Sequence, residues 1–125
     1  MAEFITALDA VCIEDGTWRL AQPLVYESDL IGPVTVPAGF ETDFASVPRV
    51  PVAYMLFGDR AHHEAVIHDY LYRLDSNPVV EREVADKVFM EAMEVRGKGW
   101  FVRNAMYLGV RIGGWTAYHK KRVRG

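Results

Sequence analysis

Three of the chain's four histidines fall in one short run, residues 61 to 73, Ala-His-His-Glu-Ala-Val-Ile-His-Asp-Tyr-Leu-Tyr-Arg. On a helix this run places His68, Asp69 and Tyr72 toward one side, which brings together a base, an acid and a phenol. Side chains of these types at this spacing are suited to moving a proton. Two further carboxylates decide how the group is read, Asp43 upstream and Asp86 downstream.

His68 stands about six residues before the turn that follows its helix, and Asp86 about eight residues beyond Pro78 on the next one. At about 1.5 Å per residue these are heights of roughly 9 Å and roughly 12 Å, nearly level across a helix hairpin. A carboxylate facing an imidazole in that way fixes the tautomer of the base and stabilises its cation. The competing reading makes Asp86 one more solvent-facing charge beside Glu81, Glu83, Lys87 and Glu91. Against it, Asp is a poor mid-helix residue, and Ala85, Val88, Phe89 and Met90 around it are apolar.

Asp69 points about 100° round the helix from His68, so one residue can act as a base while the next holds a metal. A hard cation such as Ca²⁺ takes carboxylate and carbonyl oxygens, and Asp43 with its neighbouring carbonyl in an irregular loop can supply them. Zinc is the competing metal. His63 and His68 are five apart and share no helix face, and Cys12 is distant, so the usual zinc spacings are absent. His62 and His63 read as surface and packing residues.

The elements that position these groups follow from punctuation and period. Residues 4 to 13 are apolar and partly β-branched, and Asp15-Gly16 signals a hairpin. Trp18 to Leu20, Leu24 to Tyr26 and Val34 to Val36 continue as strands, with a turn at Ile31-Gly32-Pro33. Residues 39 to 46 leave this sheet as a loop, and Pro48 and Pro51 prevent a regular helix there. Asp59 is a candidate N-cap for a helix over about 59 to 74, packing through His63, Ile67, Tyr70, Leu71 and Leu74. Asn77 and Pro78 open a second helix that runs to about Arg96 and stops at Gly97. A third helix over about 99 to 118 carries Phe101, Ala105, Leu108, Ile112 and Trp115 on one stripe. The expected fold class is α+β, a small N-terminal antiparallel sheet followed by a three-helix core.

With 125 residues and 50% apolar content the chain suits one domain. Within it, residues 1–40 are β-rich, 41–58 form a metal-loop candidate, 59–118 hold the helices and 119–125 are a basic tail. A net charge of -3 gives no global case for nucleic acid, so no specific nucleic-acid binding is expected. Lys120, Lys121, Arg122 and Arg124 read first as a solvated end and second as a contact for anionic lipid, nucleic acid or a partner chain. One cysteine, no signal-peptide pattern and no long apolar run lead to the expectation of synthesis in the bacterial cytoplasm, without a transmembrane segment.

Thr42-Asp43-Phe44, then Ala65 to Arg73 with His68-Asp69-Tyr70-Leu71-Tyr72, then Arg82 to Met93 with Asp86-Lys87-Val88-Phe89, resemble the bacterial secreted branch of the phospholipase A2 superfamily. The likeness covers residues 41 to 115. Residues 36 to 49 with 67 to 73 also resemble an uncharacterised family of tailed-phage and prophage proteins, over nearly the whole chain. The first resemblance implies a phospholipase A2-like helical core with His68 as general base, Asp86 as its orienting partner and Tyr72 as a brace. It further implies Ca²⁺ held by Asp43, the carbonyl of Phe44 and Asp69. The missing disulfides and export signal depart from that pattern, and Trp18, Trp100 and Trp115 are then expected to supply core. Ser46 and Arg49 belong to the phage-family motif alone. Ser46 reads as a turn residue before a nucleophile, and Arg49 as a partner of a surface acid before a phosphate ligand.

The expected function is a phage- or prophage-type hydrolase acting on a lipid or other envelope ester. The alternative is a non-enzymatic virion structural or tail-associated protein, incorporated in the particle with other virion proteins. A third use of the same metal site is cleavage of peptidoglycan or a nucleotide.

Overall fold

A computed structural model describes residues 2–14, 17–42, 62–97 and 99–113. Two antiparallel sheets of three strands occupy the N-terminal part. The first has the order β1 (Glu3–Phe4), β4 (Leu24–Ser28), β5 (Gly32–Val36), and the second β2 (Ala10–Glu14), β3 (Thr17–Leu20), β6 (Glu41–Thr42). Among the described residues three helices follow, α1 (His62–Leu71), α2 (Arg82–Val95) and α3 (Trp100–Gly113), so the fold class is α+β. Among the described residues no helix is long and apolar enough to cross a membrane.

Alternation explains the first sheet. Leu24 and Tyr26 on β4 lie opposite Val36 and Val34 on β5, and all four are buried. Residues 4 to 13 do not make one strand as the apolar run predicts. Thr6 interrupts it, its hydroxyl donating to the carbonyl of Pro23 and accepting from the amide of Val25, and the chain then changes sheet between β1 and β2. Such side-chain to backbone bonds compete with a regular ladder. Gly39, at φ +89°, makes the turn that brings the Phe40 carbonyl to the amide of Leu20 and so leads into β6.

α1 is the centre of the molecule. Every residue from Glu64 to Tyr72 is buried, with Val66, Ile67, Tyr70 and Leu71 packed among Leu24, Tyr26, Val34, Val36 and Phe40 from the strands and Ala85, Val88 and Ala92 from α2. A helix covered on all sides leaves no solvent face, so each polar side chain on it must find a partner. That condition builds the site. His63 at its start is a packing residue: its ring stands edge-on to Phe4 at 5.4 Å and its Nε2 accepts from the amide of Leu8 at 3.1 Å.

The helix boundaries and faces depart from the sequence expectation in three places. α1 ends at Leu71, so Leu74 leaves the packing face and is exposed. α2 starts at Arg82 instead of Pro78, because Ser76 bonds to the Pro78 carbonyl and the Asn77 amide to the Tyr70 hydroxyl, committing these residues to the connection. α3 is turned the other way: Met106 and Val110 are buried against Ala65, Phe89 and Met93, whereas Phe101, Ala105, Leu108 and Ile112 face outward. Two ion pairs hold that rotation, Arg103 to Glu94 at 3.8 Å and Arg111 to Asp86 at 2.9 Å. Trp100 is accordingly exposed and Trp18 only half-buried, so neither is the core residue expected of it. The expectations for Asp59, Ser46, Arg49, Trp115 and the basic tail lie outside the described residues, as does most of the 41–58 loop.

Candidate functional site

The α1–α2 pair brings His68 against Asp86. The His68 Nε2 to Asp86 Oδ1 distance is 2.6 Å, and both side chains are fully buried. Tyr72, one turn after His68, donates its hydroxyl to the same Oδ1. An ionised carboxylate only accepts, so the proton between His68 and Asp86 is assigned to Nε2. The imidazole is also held by its faces, with the Tyr72 ring at 4.2 Å and the Phe89 ring at 4.7 Å between centroids. Ring position and tautomer are therefore both fixed.

The other oxygen of Asp86 is taken by guanidinium groups. Arg111 Nη1 donates to Oδ2 at 2.9 Å, and Arg82 Nη1 lies 3.7 Å from the same atom. Burial alone pushes the Asp86 carboxyl up, but the bonds from His68, Tyr72 and Arg111 outweigh it and hold the group below the usual aspartate range. Asp86 thus stays a carboxylate although no part of it meets solvent. Burial, followed by the bond to this carboxylate, pushes the Tyr72 phenol well above the ordinary tyrosine value.

Tyr26 is raised in the same sense, first by burial and then by its 2.6 Å bond to Glu91, which also accepts from the amide of Asp29 and ties the sheet to α2. A phenol raised in the folded state contributes stability that is present below the ordinary tyrosine pKa, about 10, and lost as pH rises above it. Part of the near-ultraviolet phenolate signal is therefore expected to appear only as the chain unfolds in alkali. The Tyr26→Phe/Tyr72→Phe double variant should lack that part, and a smooth titration of all six tyrosines without unfolding would contradict the burial of the pair.

Asp69 faces away from Asp86, toward the strands. It is 2% exposed, and its Oδ2 accepts from the Thr42 hydroxyl at 2.5 Å. Thr42 is the last residue of β6, so the hydroxyl bond pins the chain to α1 one residue before Asp43. Asp43 and Phe44 themselves lie outside the described residues. Among those described, no group of three or more His, Cys, Asp or Glu side chains is placed to hold a metal. What Asp69 supplies is a buried carboxylate, the donor type a hard cation takes.

The sequence reading missed several members of this network. Arg82 precedes Asp86 by one helical turn, a spacing that signals a pair. Arg111 carried no such signal, because its helix was expected to face the other way. Thr42 stood in the Thr-Asp-Phe motif without a role. Glu64, fully buried one turn before His68, receives Arg96 Nε at 3.3 Å from the far end of α2, so a second carboxylate is held along the same helix interface.

A family model described as a protein of unknown function (DUF1353) matches residues 18–110. The chain belongs to this family. The DUF1353 region begins in β3 and ends in α3, so it takes in Thr42, Glu64, His68, Asp69, Tyr72, Arg82 and Asp86, and stops one residue short of Arg111. No curated protein and no solved structure gives a significant match to the chain.

Proposed function

We propose that this DUF1353 protein is a phage- or prophage-type hydrolase of lipid or other envelope esters, with His68 as the general base. The observation that carries the reading is the 2.6 Å contact of His68 Nε2 with Asp86. On this reading the contact gives the direction of proton transfer. With Nε2 committed to Asp86, Nδ1 is the basic nitrogen: it takes a proton from water as the water oxygen attacks the ester carbonyl. The tetrahedral adduct then collapses, the bond to the alcohol oxygen breaks, and His68 returns the proton to that oxygen. Asp86 stabilises the imidazolium between the two transfers, while Arg111, Arg82 and Tyr72 hold Asp86 ionised and in place.

A buried Asp69 tied to the residue before Asp43 fits an oxygen-ligated cation. Ca²⁺ would be held by Asp69, Asp43 and the carbonyl of Phe44, where it would supply positive charge for a lipid phosphate and for the oxyanion. The test is fatty-acid release from mixed phospholipid micelles, in Ca²⁺ and in chelator. Release in Ca²⁺ that chelator removes is the expected result. No release under either condition overturns the hydrolase reading.

One observation favours a second reading, a virion structural or tail-associated protein. His68 and Asp86 are fully buried, and both Asp86 oxygens are engaged, as in a network that serves only to hold two helices together. On that reading the chain is present in fixed stoichiometry in purified particles, and a His68 variant assembles normally.

A further inference from the structure

We propose that Arg82 is a positioning residue for the dyad and acts through Arg111, seating the end of α3 so that this second guanidinium reaches Asp86. Arg82 opens α2, and its Nη1 donates to the carbonyl of Val110 at 3.1 Å and to that of Arg111 at 3.2 Å. These carbonyls belong to the peptide groups on either side of the Arg111 Cα. One arginine thus grips the backbone from which the other springs. Arg111 then donates from Nη1 to Asp86 Oδ2 at 2.9 Å, whereas Arg82 itself lies 3.7 Å from that oxygen, beyond hydrogen-bond reach. The grip and its target are one turn apart on α2, so a single helix sets the distance between them.

The other contacts of α3 are less directional. Met106 and Val110 pack among Ala65, Phe89 and Met93, and apolar burial tolerates small slides and rotations of a helix. The pair from Arg103 to Glu94 spans 3.8 Å, and the Glu94 side chain is 68% exposed, so solvent screens it. A guanidinium between two carbonyls is a charge-assisted contact with a set geometry. Without it the last turn of α3 is free to shift, and a shift of about 1 Å takes Arg111 out of bonding distance of Asp86. The competing account is direct, since Arg82 is a cation beside both Asp86 and the Tyr72 phenol. If Arg82 works through Arg111, removing Arg111 has no effect once Arg82 is gone. If each arginine acts on Asp86 alone, their effects add.

The test is a double-mutant cycle in the full chain, with Arg82→Gln, Arg111→Met and the two together, and with Arg82→Lys as the rescue. Its first readout is the fall in melting temperature between about pH 7 and about pH 3, which reports how far the folded-state Asp86 carboxyl is held down and needs no substrate. Burial pushes that carboxyl up and the bonds from His68, Tyr72 and Arg111 outweigh it, so Arg111→Met should flatten the fall. Arg82→Gln should flatten it at least as much, and Arg111→Met should add nothing to Arg82→Gln. Arg82→Lys, whose ammonium still donates to the carbonyls, should keep the wild-type fall. Equal effects of Arg111→Met in the presence and absence of Arg82 overturn the proposal. The second readout is hydrogen exchange of the amides in the last turn of α3 in Arg111→Met, which keeps Arg82 and should keep its protection. Lost protection there would mean that Arg111 seats the helix, and overturns the proposal even where Arg82→Gln does not fold. For catalysis the inference rests on the hydrolase reading: fatty-acid release from mixed micelles should fall roughly ten- to a hundredfold in Arg82→Gln and return in Arg82→Lys. No release by any of these proteins, wild type included, ends the hydrolase reading, and the cycle still decides the place of Arg82.

Discussion

Asp86→Ala is expected to cost about 3–5 kcal/mol of folding stability, the range found when one partner of a buried ion pair is removed. Its carboxylate is fully buried and accepts from His68, Tyr72 and Arg111. Alanine leaves the His68 and Tyr72 donors facing a void without an acceptor, and two guanidinium groups without their counter-ion. The melting temperature should fall by roughly 10 to 20 °C in a domain of this size. Asp86→Asn keeps the shape and should cost less, but it changes the acid limb of stability. Because the folded-state carboxyl is held below the usual aspartate range, its contribution is present above about pH 4 and is lost as pH falls through the lower, folded value. The wild type should therefore lose stability below about pH 4 more steeply than Asp86→Asn. An Asp86→Ala protein within about 1 kcal/mol of wild type would mean that the network does not hold the helices together.

Much of the fold is written in local pattern. Leu24, Tyr26, Val34 and Val36 alternate, and a strand pair buried on one face follows from that alone. Gly97, at φ +86°, ends α2 where a C-terminal glycine is expected. Elsewhere local pattern is ambiguous for a physical reason. On α3 both Phe101-Ala105-Leu108-Ile112 and Val102-Met106-Val110 keep helical spacing, and hydrophobicity alone does not say which set faces the core. The choice is made by Arg103 reaching Glu94 and Arg111 reaching Asp86, contacts between helices that no period encodes. β1 and β2 part for a similar reason, since a single threonine hydroxyl substitutes for ladder bonds.

The site divides along the same line. Residue counts place His68 and Asp86 level even though α1 ends at Leu71 and α2 starts only at Arg82, because the two helix ends retreat from the turn by similar amounts. Tyr72 follows from its place one turn beyond His68. Arg111 is not readable, because it depends on the rotation of α3, and Thr42 depends on where a two-residue strand meets α1. The burial of Glu64, His68 and Asp69 together reflects a helix covered on all sides. A sequence that places three ionisable residues within six positions suggests a solvent face instead.

His68→Gln is expected to lower ester hydrolysis by about 10² to 10⁴-fold, the contribution a positioned general base makes. Glutamine keeps an N–H to donate to Asp86 but has no nitrogen that takes a proton at neutral pH. It therefore separates the chemistry of the imidazole from its part in packing α1 against α2. The comparison is made on protein shown by melting to be folded, at saturating Ca²⁺, with fatty acid released from mixed micelles as the readout. Release by wild type with a loss of about a hundredfold or more in folded His68→Gln is what the account predicts. Equal release by the two proteins would contradict it, because the His68–Asp86 contact would then be a strut and not a base.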